Sequence, residues 1–247
     1  MIEELLTPYI CERFQKEDHY RNGHIRIINP LPGEKILGLH IPDMRKIATN
    51  LVKEGKSASI IQGFKKMQDT DSRRALSYEE KVIWGMMLNR MRLNLEERLE
   101  EFRDFIPTID NWAICDTICS DAKWCKKHLS ETWDFLMPYF SSNQEFEVRF
   151  ALVMSLAHFL TEDHIDSVFE QIRTLKYSDI VSEYEYSKTP TPYYVNMAVA
   201  WLLATALYKF PEKTRAFINS GSVPDHIVKL YIRKAKESFR TRAMNPQ

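Results

Sequence analysis

Seven glycines serve 247 residues. Sheet-rich folds need many tight turns, and tight turns need glycine, so this scarcity points to helices. The apolar pattern agrees. Segment after segment repeats at three- and four-residue spacing, as one face of an α-helix does. Such segments run over Ile2–Gln15, from Ile41 to Gly55, over 57–68, Tyr78–Arg92 and Leu95–Phe105, and then through Trp112, Ile114, Cys115 and Ile118. They continue over Leu129–Tyr139, Phe146–Leu160, Asp163–Leu175, Tyr193–Tyr208, Pro211–Asn219 and Pro224–Phe239. Pro8 marks a start or kink in the first. Ile41-Pro42-Asp43 suits a helix start, and Asp110 or Thr108 suits the cap of the helix carrying Trp112. Two stretches, near 21–41 and 176–192, are irregular. No strand pair or hairpin turn is evident.

Consecutive helices of about 10–16 residues joined by short connections predict an all-α chain of stacked helix pairs. The expected fold is a HEAT-like helical repeat solenoid, an alpha-alpha superhelix, forming one domain over 1–247. An ordinary helix bundle is the alternative. Hydrophobic residues at 44% and charged residues at 28% are those of a chain that buries a core.

The N-terminus carries Glu3, Glu4, Glu12 and Glu17 and does not read as a signal peptide. No stretch approaches the roughly 20 apolar residues of a membrane span. A reducing cytoplasm, no membrane partner and free thiols are expected. Cys115 and Cys119 stand four apart on an apolar helix, Cys125 follows, and no histidine pair has ligand spacing. They read as buried structural thiols, and no metal or cofactor is expected. No phosphate-binding glycine loop, GxSxG elbow or HExxH motif occurs. Net charge is zero, but Lys209 to Arg242 holds nine bases against Glu212, Asp225 and Glu237. That is either a phosphate-contacting surface or a solvated helix face.

Trp112 and Asp116 stand four apart and share a helix face. An aromatic face beside a carboxylate can hold a cationic group; a core tryptophan beside a solvent-facing or arginine-paired aspartate is the plain alternative. Arg149 lies early in an apolar helix and needs an anion, which Asp116 or a phosphate could supply. Trp201 sits among small residues, lining a concave face or simply filling a core.

With these pieces in order, the chain resembles the bacterial DNA alkylation repair family, the AlkD-like glycosylases built from HEAT-like repeats. The matching segments are Gly38-Leu39-His40-Ile41-Pro42-Asp43-Met44-Arg45, Asn111-Trp112 with Asp116, Arg149-Phe150-Ala151, and Tyr193-Tyr194-Val195-Asn196-Met197-Ala198-Val199-Ala200-Trp201. The resemblance implies that Asp116 is the catalytic carboxylate. It implies that Trp112 and Trp201 cradle the damaged nucleotide and that Arg149 contacts phosphate beside the lesion. A tyrosine that some members place ahead of the first motif is not evident near Ile28–Pro30, Tyr20 being nearest. The activity implied is hydrolysis of the N-glycosidic bond of N3- and N7-alkylated purines in duplex DNA. It would be carried out without metal by a monomer in the bacterial cytosol, associated with the nucleoid when bound to DNA. The competing readings are a non-catalytic repeat protein for distorted or branched DNA and a protein-binding scaffold.

Overall fold

The computed structural model describes residues 2–70, 75–184 and 190–246. Among these no strand occurs; the one β-pairing is an isolated parallel bridge between Gln144 and Val181. The chain is all-helical, as the glycine count and periodicity predict. It divides into two compact units, Met1–Trp124 and Cys125–Gln247. No helix among the described residues is long and apolar enough to cross a membrane.

The first unit opens with three short pieces. Helix α1 (Glu3–Leu6) passes into a 3-10 turn at Pro8, then α2 (Glu12–Lys16) and α3 (Asp18–Ile28) follow. Helix α3 corrects the sequence reading, which took the chain from residue 21 as irregular. Gly23 weakens a helix there, but ring contacts hold it: His24 packs on Phe14 and His40, and Tyr20 Oη lies 3.0 Å from His40 Nε2. The helix ends at Asn29, left-handed at φ 53°. The non-helical stretch begins there and ends at His40.

That stretch is fixed from below by a buried carboxylate. Glu79 accepts from the backbone N–H groups of Leu37, Gly38 and Leu39 at 2.9, 2.7 and 3.3 Å. Burial pushes its carboxyl up, and the three N–H donors oppose that rise. Gly38 has φ 92°, and a Cβ there would fall 2.2 Å from the Phe14 ring, so only glycine fits.

Helix α4 (Ile41–Lys53) starts with Pro42 in its first turn, as expected, and buries Met44, Ile47, Ala48 and Leu51. After α5 (Ser57–Thr70) comes α6 (Tyr78–Arg90), capped by a reciprocal Ser77–Glu80 box and buried from Tyr78 to Leu88. A helix buried all round is a central one. It packs against α4 on one side and α8 (Trp112–Asp121) on another, with α7 (Leu95–Phe105) between them in sequence. Gly85 permits this: a Cβ there would meet Ile118 at 2.6 Å and Phe105 at 2.8 Å.

The second unit repeats the scheme. Helix α9 (Leu129–Phe140) packs on α10 (Glu145–Met154), which widens into a π-turn at Ser155–Phe159. Then come α11 (Ile165–Thr174), α12 (Tyr193–Lys209), α13 (Pro211–Asn219) and α14 (Asp225–Glu237). Helix α12 packs between α10 and α14. Helices α6 and α8 in the first unit, and α12 and α14 in the second, each stack on the helix two before, which is the packing of stacked helix pairs. Of the stretch 176–192, Tyr177–Asp179 forms a 3-10 turn and Val181 joins the bridge to Gln144, while 185–189 lie outside the described residues.

Candidate functional site

Helix α8 is apolar on the side facing α6, where Ile114, Cys115, Ile118 and Cys119 are fully buried. Trp112 and Asp116, one turn apart, are half-buried, and Ser120, another turn on, is exposed. The sequence spacing therefore does place an indole and a carboxylate on one accessible helix face.

Four tethers orient that face. Asn111, fully buried, accepts from Ala113 N–H at 2.8 Å as the N-cap of α8 and donates its amide to the Ile28 carbonyl at 2.9 Å. The cap is thus neither Asp110 nor Thr108. Thr108 is buried one turn too early, and Asp110 is drawn inward by Lys81 of α6, whose Nζ stands 2.5 Å from its Oδ2. Lys81 also reaches Glu34 at 3.1 Å. Two carboxyls share one ammonium out of water, and burial pushes Glu34 up to about 7. Finally, Trp112 Nε1 donates to the Ile27 carbonyl at 3.2 Å, fixing the indole against the end of α3.

In the second unit Arg149 is 4% exposed on α10. Its Nη1 donates to the Tyr194 carbonyl at 2.6 Å, and its guanidinium lies 5.6 Å from the centre of the Tyr194 ring. One turn earlier on α10, Glu145 accepts from Tyr194 N–H at 2.6 Å and from Ser182 Oγ at 2.5 Å. Glu145 is a buried carboxylate at the N-terminus of α12, where the helix dipole favours it. Burial raises it, and those donors together with the Arg149 charge oppose the rise. The first turn of α12 is therefore gripped at both backbone poles by two side chains of α10.

Trp201 lies seven residues beyond Tyr194, about 10 Å along the helix. It is half-buried and belongs to a narrow stripe: Tyr193, Met197, Trp201, Thr205 and Tyr208 reach solvent, while the residues between them are buried. Trp112 and Asp116 thus share one helix face in the first unit. Arg149 and Trp201 occupy adjacent helices of the second, with Arg149 devoted to the turn from which the Trp201 stripe starts.

Sequence reasoning named Asn111 only as part of the Asn111-Trp112 segment and missed its capping role, and it missed Lys81, Glu34 and Glu145. Asparagine directly before a helix is a capping signal, Lys81 stands against an apolar run, and Glu145 is spaced i, i+4 with Arg149. Cys115, Cys119 and Cys125 are buried and unbridged. Among the described residues no three His, Cys, Asp or Glu side chains are grouped to hold a metal ion.

The family model described as DNA alkylation repair enzyme matches residues 15–239. No curated protein and no solved structure matches the chain.

Proposed function

The chain belongs to the DNA alkylation repair enzyme family, and from that premise we propose that it is a monofunctional DNA glycosylase for cationic N3- and N7-alkylated purines in duplex DNA. The observation that carries this reading is the Trp112–Asp116 face of α8, an accessible carboxylate one turn from an indole whose orientation is tied down.

Alkylation at N3 or N7 puts positive charge on the purine. When the bond between C1′ and the purine nitrogen breaks, its electron pair goes to the base, which leaves neutral. No acid is required, unlike ordinary glycoside hydrolysis with its two carboxyl groups. What remains is an oxocarbenium-like sugar. The Asp116 carboxylate stabilises it electrostatically and orients a water, which adds to C1′ and releases a proton to solvent. Trp112 offers its π-face to the cationic base, an attraction of about 1–2 kcal/mol when desolvated. Trp201 offers a further aromatic face to the DNA. Arg149, buried against Tyr194, serves the DNA through the turn of α12 that it holds, and the surface bases of 208–242 supply the salt-sensitive share of binding.

Single-turnover release of 7-methylguanine from a methylated duplex tests the reading. Asp116→Asn keeps size and removes charge. Release should fall by about 100- to 1000-fold while duplex binding persists. Unchanged release would exclude the role of Asp116. Binding without release by the wild-type chain would favour a non-catalytic DNA-binding protein, and no binding at low salt would favour a protein scaffold.

A further inference from the structure

The solvent stripe of α12 ends at Tyr208, which is 51% exposed, and an exposed aromatic waits beside it. Phe239, just after α14, is 75% exposed, the largest exposure among the large apolar side chains of the described residues. One cation reaches both rings: the Arg240 guanidinium is 5.6 Å from the Tyr208 ring centre and 5.4 Å from that of Phe239. Nor is Phe239 displayed by a loose end. Its turn is closed by Thr241 N–H and Arg242 N–H, both donating to the Ser238 carbonyl at 3.1 and 2.8 Å. The turn is anchored by Thr241, 1% exposed, whose hydroxyl donates to the Ala235 carbonyl at 2.7 Å.

The surroundings are basic. From Asp225 to Arg242 the chain carries Lys229, Arg233, Lys234, Lys236, Arg240 and Arg242 against Asp225 and Glu237. Arg233 reaches back to Met197 Sδ at 3.8 Å, so this charge borders the same α12 stripe that carries Trp201.

Aromatic rings held at a cationic surface are the two components of a single-strand binding platform: phosphates meet the charge and bases stack on the rings. In a duplex the base faces are already covered by their neighbours, so a ring offering its face gains a partner only where a base is unpaired. We propose that Tyr208, Phe239 and Arg240 form a stacking site for an unpaired nucleotide. DNA bound along α12 and α14 would thus be held most tightly where a single-stranded tail or gap reaches this corner. The proposal rests on DNA being the partner, but not on Asp116 or on any base release.

The test uses the full chain and two tailed duplexes with identical phosphates, one tail carrying thymines and the other abasic sugars. Wild type should prefer the thymine tail by about fivefold or more. Tyr208→Ala and Phe239→Ala should each reduce that preference and leave affinity for a blunt duplex unchanged; both residues are exposed, so folding is preserved. A 2-aminopurine placed in the tail should lose fluorescence on binding to wild type and retain it with Phe239→Ala. Equal affinity for the two tails, or a preference surviving both variants, overturns the proposal. So does a Phe239-dependent attachment to anionic phospholipid vesicles in the absence of any thymine-tail preference. Base release with no tail preference would sink this inference alone, whereas tail preference without release would sink only the glycosylase reading.

Discussion

Lys81 Nζ and Asp110 Oδ2 stand 2.5 Å apart with both side chains excluded from water. The pair joins the first turn of α6 to the residue just ahead of the α8 cap, so it carries the approach to Trp112 and Asp116. Replacing Lys81 by Met keeps most of the volume and strands two buried carboxyls. The expected loss is about 3–5 kcal/mol of stability, read as a lower urea midpoint. Adding Glu34→Gln should recover part of it, because one of the stranded charges is then gone. An unchanged midpoint for Lys81→Met would show that the ammonium contributes nothing net.

Glu34 also sets a pH dependence. Its folded value, about 7, lies above the ordinary 4.5 because burial penalises the charged form. A folded state that holds its proton longer than the unfolded chain is favoured at low pH. The stabilising contribution is therefore complete below about 4.5, declines as pH rises from there to about 7, and is absent above. Thermal melts across this window should show a gentler decline for Glu34→Gln than for wild type. Parallel slopes would mean that Glu34 titrates alike in both states.

Asn111 performs two tasks that two variants separate. Asn111→Asp retains the oxygen that accepts from Ala113 and loses the amide that donates to Ile28; Asn111→Ala loses both. The cap is worth about 1 kcal/mol, but Asn111→Asp sets a buried carboxylate oxygen against the Ile28 carbonyl, so it should be the less stable of the two. Both should slow base release, since both remove the Ile28 tie and leave only the Trp112–Ile27 bond holding the start of α8 to the end of α3. If Asn111→Asp releases base at the wild-type rate, the tether to Ile28 does not serve Asp116.

Lesion choice follows from the single carboxylate on the α8 face. Cationic 7-methylguanine and 3-methyladenine should be released, while hypoxanthine and ethenoadenine, which must be protonated to leave, should remain largely intact. Matched duplexes differing only at the lesion, compared in single turnovers, decide it. Comparable release of a neutral lesion would require a general acid and end the one-carboxylate mechanism.

Much of this could be read from sequence because it depends on local periodicity. The accessible face of α8 follows from the four-residue spacing of Trp112 and Asp116, and the start of α4 from Pro42. What escaped depends on partners distant in the chain. Helix α3 carries an internal glycine and is held by His40, sixteen residues beyond His24. Asp110 has the composition of a cap, but the buried ammonium of Lys81 claims it and leaves the capping to Asn111. Arg149 called for an anion; Glu145, four residues before it, and the Tyr194 backbone are part of the answer.

The grip of α10 on Tyr194 has a consequence for how α12 can age in evolution. The helix shows solvent a stripe one residue wide, and each residue step turns it by about 100°. A slip by a single position would sink Trp201 into the core and lift Leu202 out. Glu145 on the Tyr194 N–H and Arg149 on the Tyr194 carbonyl act together as a keyed shaft, admitting one rotational setting. Substitutions elsewhere along α12 can then change which side chains line the stripe without changing where the stripe points, so the surface can be retuned one residue at a time while its aim stays constant.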